Sequence, residues 1–123
     1  CTANHLELLK KGNWDVYVSA FVSAPTGDPE YFFTTHCLQD SSKNRGGYYS
    51  ETFEMLEQQL SGEFDTEKRT ELAIEMTQTL LDDHMFFFAS HLKMSMVSGE
   101  GVTGLTAHPC DYYEITVNLD KNK

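Results

Sequence analysis

The segment Trp14–Val22 constrains the fold of this chain more than any other part of the sequence. Valine and alanine alternate with other residues along it, and Tyr17 and Phe21 add bulk to the second face. This pattern predicts a β-strand with both faces largely covered, which is typical of a sheet flanked by helices. A covered strand needs neighbouring strands, and the remaining sequence supplies few. We therefore expect the chain to contribute to a larger sheet.

Several segments carry the periodicity and the capping residues of helices. Asn4 is a candidate N-cap for the first helix, and Asp28 before a proline is a favourable start for a short second one. The third helix begins at Ser50. The fourth is capped by Asp65 or Thr66 and has apolar residues at helical spacing. The predicted helices are 4–11, 29–35, 50–62 and 66–81.

The rest of the sequence predicts turns and extended segments. We expect a turn over 24–28 and a polar loop over 38–47, which ends in two glycines. The run MFFFASHLKMSMVS over 85–98 predicts one or two short strands, because it is rich in aromatic and β-compatible residues. Alternation over Tyr112–Leu119 predicts a terminal strand. Strands mixed with helices indicate an α/β fold, with α+β as the alternative, and 123 residues fit one domain, 1–123.

Composition excludes several classes of function. The formal net charge is -10, and such a surface repels a phosphate backbone, so no nucleic-acid partner is expected. No apolar run approaches the roughly 18 residues that a membrane span needs. No basic region followed by a hydrophobic region opens the sequence, so a signal peptide of an exported parent protein would lie upstream.

The cysteines do not form a recognisable framework. Cys1, Cys37 and Cys110 are odd in number and lack a CxxC spacing, which argues against disulfide bonds and a structural zinc site. Cys1 has the position of the lipid-bearing first residue of a mature lipoprotein. The alternative, that the sequence simply starts there, is favoured because Thr2–Leu9 has the character of the middle of a domain.

Catalytic and metal-binding motifs are weak. The side chains of the neighbours His36 and Cys37 diverge, so they form neither a catalytic dyad nor a chelating pair. His108 and Cys110 are two residues apart and could face the same side of an extended chain. The sequence contains no HExxH, GxSxG or P-loop motif, and we expect no enzyme activity and no required cofactor.

Strings in four parts of the sequence resemble the family 5 solute-binding proteins, the peptide-, nickel- and metal-chelate-binding components of ABC importers. The strings are, in order, GNWDVYVSAF, GDPEYFF, NRGGYYSETFEMLEQ and FDTEKRTELAIEMTQTLLDD, and a glycine-rich closing stretch follows them. Glu54 stands where the family pattern has aspartate. The resemblance implies the C-terminal lobe portion of a two-lobe, type II periplasmic-binding-protein-like fold. It further implies an extracytoplasmic protein, tethered to the membrane as a lipoprotein, that delivers its ligand to an ABC permease.

The resemblance also bears on the ligand. Peptide-binding members have an aspartate just before the Asp-Pro pair, where it binds the free amino group of the peptide, and this sequence has Pro25 there. A buried ammonium without that carboxylate would lose several kcal/mol. The resemblance therefore favours the nickel or metal-chelate branch, in which His36 would complete the coordination sphere. A di- or oligopeptide-binding protein and a ligand-binding sensor domain are the alternatives, with a small independent enzyme as a third.

The expected ligand contacts lie on the loop after the first strand and on the glycine-rich loop before the third helix. They are Phe21, Val22, Ser23, Pro25, Thr26, Asp28, Arg45 and Tyr48. Arg45 could hold a ligand carboxylate, although a solvent-exposed loop arginine is the favoured alternative. Surface that a parent protein would cover is expected to favour dimerisation of this fragment.

Overall fold

Helices make up most of the regular structure. The computed structural model describes residues 2–93, 95–107 and 117–121, with residues 2 and 3 described for their backbone only. In chain order the elements are α1 (Thr2–Lys11), α2 (Glu30–His36), α3 (Glu51–Gly62), α4 (Thr66–Asp82), β1 (Val102–Thr103) and β2 (Asp120–Lys121). The two short strands pair in antiparallel fashion, with Val102 opposite Lys121. None of the described helices combines the length and the apolar character that a membrane crossing needs.

The helix boundaries follow from local capping. Ser50 is extended, and its hydroxyl accepts the Phe53 N–H at 3.4 Å, so Ser50 is the N-cap and α3 begins one residue later than predicted. The Asp65 carboxylate accepts two N–H groups of the first turn of α4, at 3.0 and 3.1 Å, which confirms Asp65 as the N-cap. The prediction for Asn4 was wrong, because α1 starts earlier and Asn4 lies inside it. Helix α2 begins at Glu30, one residue later than predicted.

The core lies between α2, α3 and α4. Phe53 and Leu60 of α3 and Met76 and Leu80 of α4 are fully buried, because each helix repeats its apolar residues on the face toward the other. Burying one such side chain stabilises the fold by about 1.5–3 kcal/mol. Two phenylalanines of α2, Phe32 and Phe33, complete this cluster.

A single asparagine organises the loop between α2 and α3. The Asn44 amide group donates to three backbone carbonyls, those of Cys37, Leu38 and Tyr48, and its carbonyl oxygen accepts the Tyr48 N–H at 3.0 Å. Gly47 has φ +65°, a conformation that favours glycine, and it lets the chain turn back toward Asn44. The predicted polar loop is therefore present and closely hydrogen-bonded.

The strands predicted over 14–22 and 85–98 do not form among the described residues. Segments 13–23 and 86–93 contain no helix or strand, and neither makes a backbone–backbone hydrogen bond to another described residue. Val16 and Val18 are 83% and 84% exposed, so one face of the first segment is uncovered rather than packed. The observed fold is mixed and rich in helix, and the described part of the chain does not form two lobes. Most of the predicted terminal strand Tyr112–Leu119, as well as Cys1, His108 and Cys110, lies outside the described residues.

The chain leaves α4 through a left-handed residue. His84 has φ +57°, its N–H donates to the Leu81 carbonyl, and the Met85 N–H donates to the Leu80 carbonyl. These two bonds are those of a Schellman motif, which satisfies carbonyls at the end of the helix. The motif turns the following segment, 85–93, back across α2.

Candidate functional site

Two adjoining hollows form one open cleft beside α2. Their volumes are about 230 Å³ and 440 Å³. Both hollows are lined by Ser23, Ala24, Phe32, Phe88 and His91. We call the two hollows together the aromatic cleft. Cavities that hold small organic ligands commonly have volumes of about 300–1,000 Å³, so this cleft has the size of a small-ligand site.

Four parts of the chain build the aromatic cleft. Segment 19–24 forms one wall, Phe32 of α2 forms the floor, and segment 88–92 forms the other wall. Close packing fixes the start of the last wall, because the Met85 side chain lies against Gly46, where an added Cβ would be 2.6 Å from the Met85 Cε. Helix α4 adds Thr77, whose hydroxyl donates to the Ala73 carbonyl of its own helix.

Phe21 attaches the first wall to the helical core. Its ring centroid lies 4.4 Å from that of His36, 6.0 Å from that of Phe32 and 6.2 Å from that of Phe86, all with steep interplanar angles. Edge-to-face contacts of this kind are favourable for aromatic pairs, each by about 0.5–1.5 kcal/mol beyond area burial. The wall thus has a defined position although it belongs to no sheet among the described residues.

His36 lies behind this wall, not in the cleft lining. Burial lowers its pKa, and the nearby positive charges of Lys43 and Arg45 lower it further. The Nδ1 atom is buried and has no hydrogen-bond partner among the described residues. These features favour the neutral imidazole, which is the form that binds metal. Within the described part of the chain, however, no three His, Cys, Asp or Glu side chains come together in an arrangement that could hold a metal ion.

Asp28 belongs to an ion network and not to the aromatic cleft. The Arg69 Nη2 donates to both carboxylate oxygens of Asp28 and to Glu30 Oε2, each at 2.9 Å. Asp28 also accepts the Glu30 N–H at 3.0 Å, although Pro29 and not the predicted Asp28 is the N-cap residue of α2. A separate groove of about 370 Å³ is lined by Thr26, Asp28 and Arg69.

Tyr48 and Arg45 lie away from the described lining of the cleft. The Tyr48 hydroxyl donates to Asp83 Oδ2 at 2.6 Å, and burial together with this hydrogen bond raises the pKa of the phenol. Tyr48 thereby ties the loop before α3 to the end of α4. Arg45 is half-buried on the same loop, and Pro25 is buried in the turn before α2.

The structure therefore brings five of the eight predicted contacts to two separate sites, and the other three, Pro25, Arg45 and Tyr48, lie in neither lining. It brings Phe21, Val22 and Ser23 to the cleft wall. It holds Thr26 and Asp28 in the groove beside Arg69. Phe88, His91 and Arg69 were not among the predicted contacts. Three consecutive phenylalanines carry no pattern that would distinguish Phe88 from the more exposed Phe87.

Cys37 has no features of a reactive thiol. It is buried to 1% exposure, and burial raises the pKa of the thiol to about 12. A thiolate is the reactive form of cysteine, so Cys37 is a core residue in this structure.

Comparisons with protein-family models, with curated protein sequences and with solved structures found no match to the chain.

Proposed function

We propose that this chain is a portion of the C-terminal lobe of an extracytoplasmic solute-binding protein, which captures a small ligand for an ABC permease. The observation that carries the proposal is the aromatic cleft, whose wall contains Phe21, Val22 and Ser23, three of the residues expected to contact ligand. A cleft lined by aromatic side chains and a few polar groups is typical of small-molecule sites. Binding would be reversible, and the ligand would stabilise the closed arrangement of two lobes.

Two segments without backbone partners support the idea of an incomplete lobe. Segments 13–23 and 86–93 carry β-compatible side chains, and their backbone groups find no partner strand among the described residues. Exposed valines at 16 and 18 would be covered if such a segment joined a sheet. Strands contributed by the remainder of a parent protein would satisfy both requirements, and the two-lobe fold is part of this proposal.

A metal chelate remains the ligand class that we propose for the parent protein. Peptides are disfavoured because the described lining of the aromatic cleft contains no carboxylate that could pair with a peptide ammonium group. His36 supplies one imidazole that is favoured in its neutral form, and it lies behind Phe21. The metal would then be held mainly by its organic carrier, and the protein would bind the carrier.

Native mass spectrometry of the full-length parent protein, purified from its own host, tests the proposal. Together with elemental analysis, it should detect one small organic molecule per protein, accompanied by nickel or another transition metal. A bound peptide without metal would replace the chelate by a peptide and leave solute capture intact. A protein that carries no small molecule, and to which neither chelates nor di- to pentapeptides bind in calorimetry, would refute solute capture.

A further inference from the structure

We infer that the aromatic cleft receives an uncharged aromatic group. The inference rests on the proposed function, because it names the chemistry of the ligand part that this portion of the lobe would hold. It does not depend on whether the rest of the ligand carries a metal.

The charge of the cleft lining favours an uncharged ligand group. Among the described residues that line the two hollows there is no Asp, Glu, Lys or Arg, although the whole sequence contains 28 such residues. A charged ligand group placed there would lose its hydration without gaining an ionic partner, which is costly in a partly enclosed apolar site. An uncharged group has no such cost.

The shape of the site favours a flat ring. Phe32 and Phe88 both line it and are in edge-to-face contact, with ring centroids 6.1 Å apart at an interplanar angle of 62°. One face of Phe88 stacks on Phe86 at 5.8 Å, and a bound ring would extend this aromatic surface by packing on the part of Phe88 that is exposed. Aliphatic groups would gain less from this arrangement than an aromatic ring does.

The polar groups at the cleft favour a ring that carries a hydrogen-bonding heteroatom. Ser23, Ser90 and His91 lie at the cleft and offer hydrogen bonds to a heteroatom at the rim of a ring. The side chains of all three make no hydrogen bond to another described residue, whereas the Thr77 hydroxyl already donates to a carbonyl of its own helix. A ring that carries one N–H or O–H group therefore fits better than a pure hydrocarbon.

A charge series of one ring system tests the inference on the 123-residue chain. Indole, indole-3-acetate and tryptamine share a bicyclic ring and differ in charge, being neutral, anionic and cationic. We expect indole to shift the NMR resonances of residues 19–24 and 88–92 saturably and to bind at least about tenfold more tightly than either charged analogue. Resonances of Trp14, which lines a separate groove, should not move.

Two substitutions supply the matched comparison. Phe88→Ala removes the wall ring and should weaken indole binding about tenfold, whereas Phe87→Ala changes the neighbouring ring, which is 89% exposed, and should leave binding unchanged. Far-UV circular dichroism verifies that both variants fold. If Phe88→Ala perturbs folding, Ala24→Leu narrows the cleft and should weaken binding while the aromatic packing stays intact.

The outcomes separate the two proposals. Equal or tighter Phe88-dependent binding of a charged analogue would overturn the uncharged ligand class and leave small-ligand capture standing. Absence of binding by the whole series, or shifts spread over the surface including Trp14, would overturn the aromatic site itself. Mass spectrometry of the native parent protein then decides the proposed function independently.

Discussion

The Arg69 side chain should contribute substantially to the free energy of unfolding through its polar contacts. Its guanidinium binds the acidic start of α2 through Asp28 and Glu30, and its Nη1 donates to the Leu60 and Glu63 carbonyls at 2.7 and 2.9 Å. One side chain therefore joins three elements, namely α2, the end of α3 and the first turn of α4. The Arg69 side chain is 20% exposed, so solvent screens these contacts only partly.

The expected effect of Arg69→Met follows from those contacts. Each partly exposed ion pair contributes about 0.2–1 kcal/mol, and the two hydrogen bonds to carbonyls contribute about 1 kcal/mol each after solvent competition. Methionine keeps most of the apolar stem, so little packing is lost. We therefore expect the free energy of unfolding to fall by roughly 2–4 kcal/mol, which lowers Tm by about 8–20 °C for a domain of this size.

Urea unfolding followed by far-UV circular dichroism measures this effect. Lys68→Met is the matched control, because Lys68 precedes Arg69 on α4 and makes a single 3.7 Å ion pair to Glu63 with a 66% exposed side chain. That control should cost no more than about 0.5 kcal/mol. A double-mutant cycle of Arg69→Met with Asp28→Asn should give a coupling energy of about 0.5–1 kcal/mol. If Arg69→Met destabilised the chain no more than Lys68→Met, the network would not hold the start of α2 in place.

Three further predictions concern titration, reactivity and backbone conformation. Because the folded pKa of His36 is lowered, the unfolded chain binds more protons as pH falls below about 6.5, so stability should decrease there. His36→Gln should flatten this decrease in urea titrations at several pH values, and an unchanged pH dependence in that variant would contradict the lowered pKa. Cys37 should react with iodoacetamide at about pH 8 roughly 1,000-fold more slowly in the folded chain than in concentrated urea, as peptide mapping would show; similar rates would contradict its burial. His84→Gly should raise the free energy of unfolding by about 0.5–1 kcal/mol, since glycine adopts φ +57° without steric cost, while His84→Ala should not stabilise.

The helices were predictable because their information is local. Ser50 and Asp65 cap the first turns that follow them, and apolar residues recur at helical spacing across both helices. The core could be inferred from the same spacing. The network around Arg69 could not, because it joins residues 41 positions apart and its carbonyl partners depend on where α3 ends.

The aromatic cleft was predictable only in part, for a similar reason. The loop after Phe21 follows an extended segment, and that local feature placed Val22 and Ser23 at a cleft. The opposite wall depends on the direction in which the chain leaves α4, which a left-handed His84 decides. A histidine at this position does not indicate a left-handed conformation, as a glycine would. Phe88 and His91 could therefore not be assigned to the same site from the sequence.

The alternation in segment 14–22 was informative even though no strand forms there among the described residues. Tyr17 and Phe21 are half-buried, with Phe21 packed on α2, whereas Val16 and Val18 point to solvent. The sequence thus distinguishes two faces, and the helices cover only the aromatic one. A branched apolar face gains free energy when it is buried, by roughly 25 cal/mol per Å² of apolar surface removed from water. Covering the valine face with further strands would therefore be favourable, which is the physical reason behind our proposal that the chain contributes to a larger sheet.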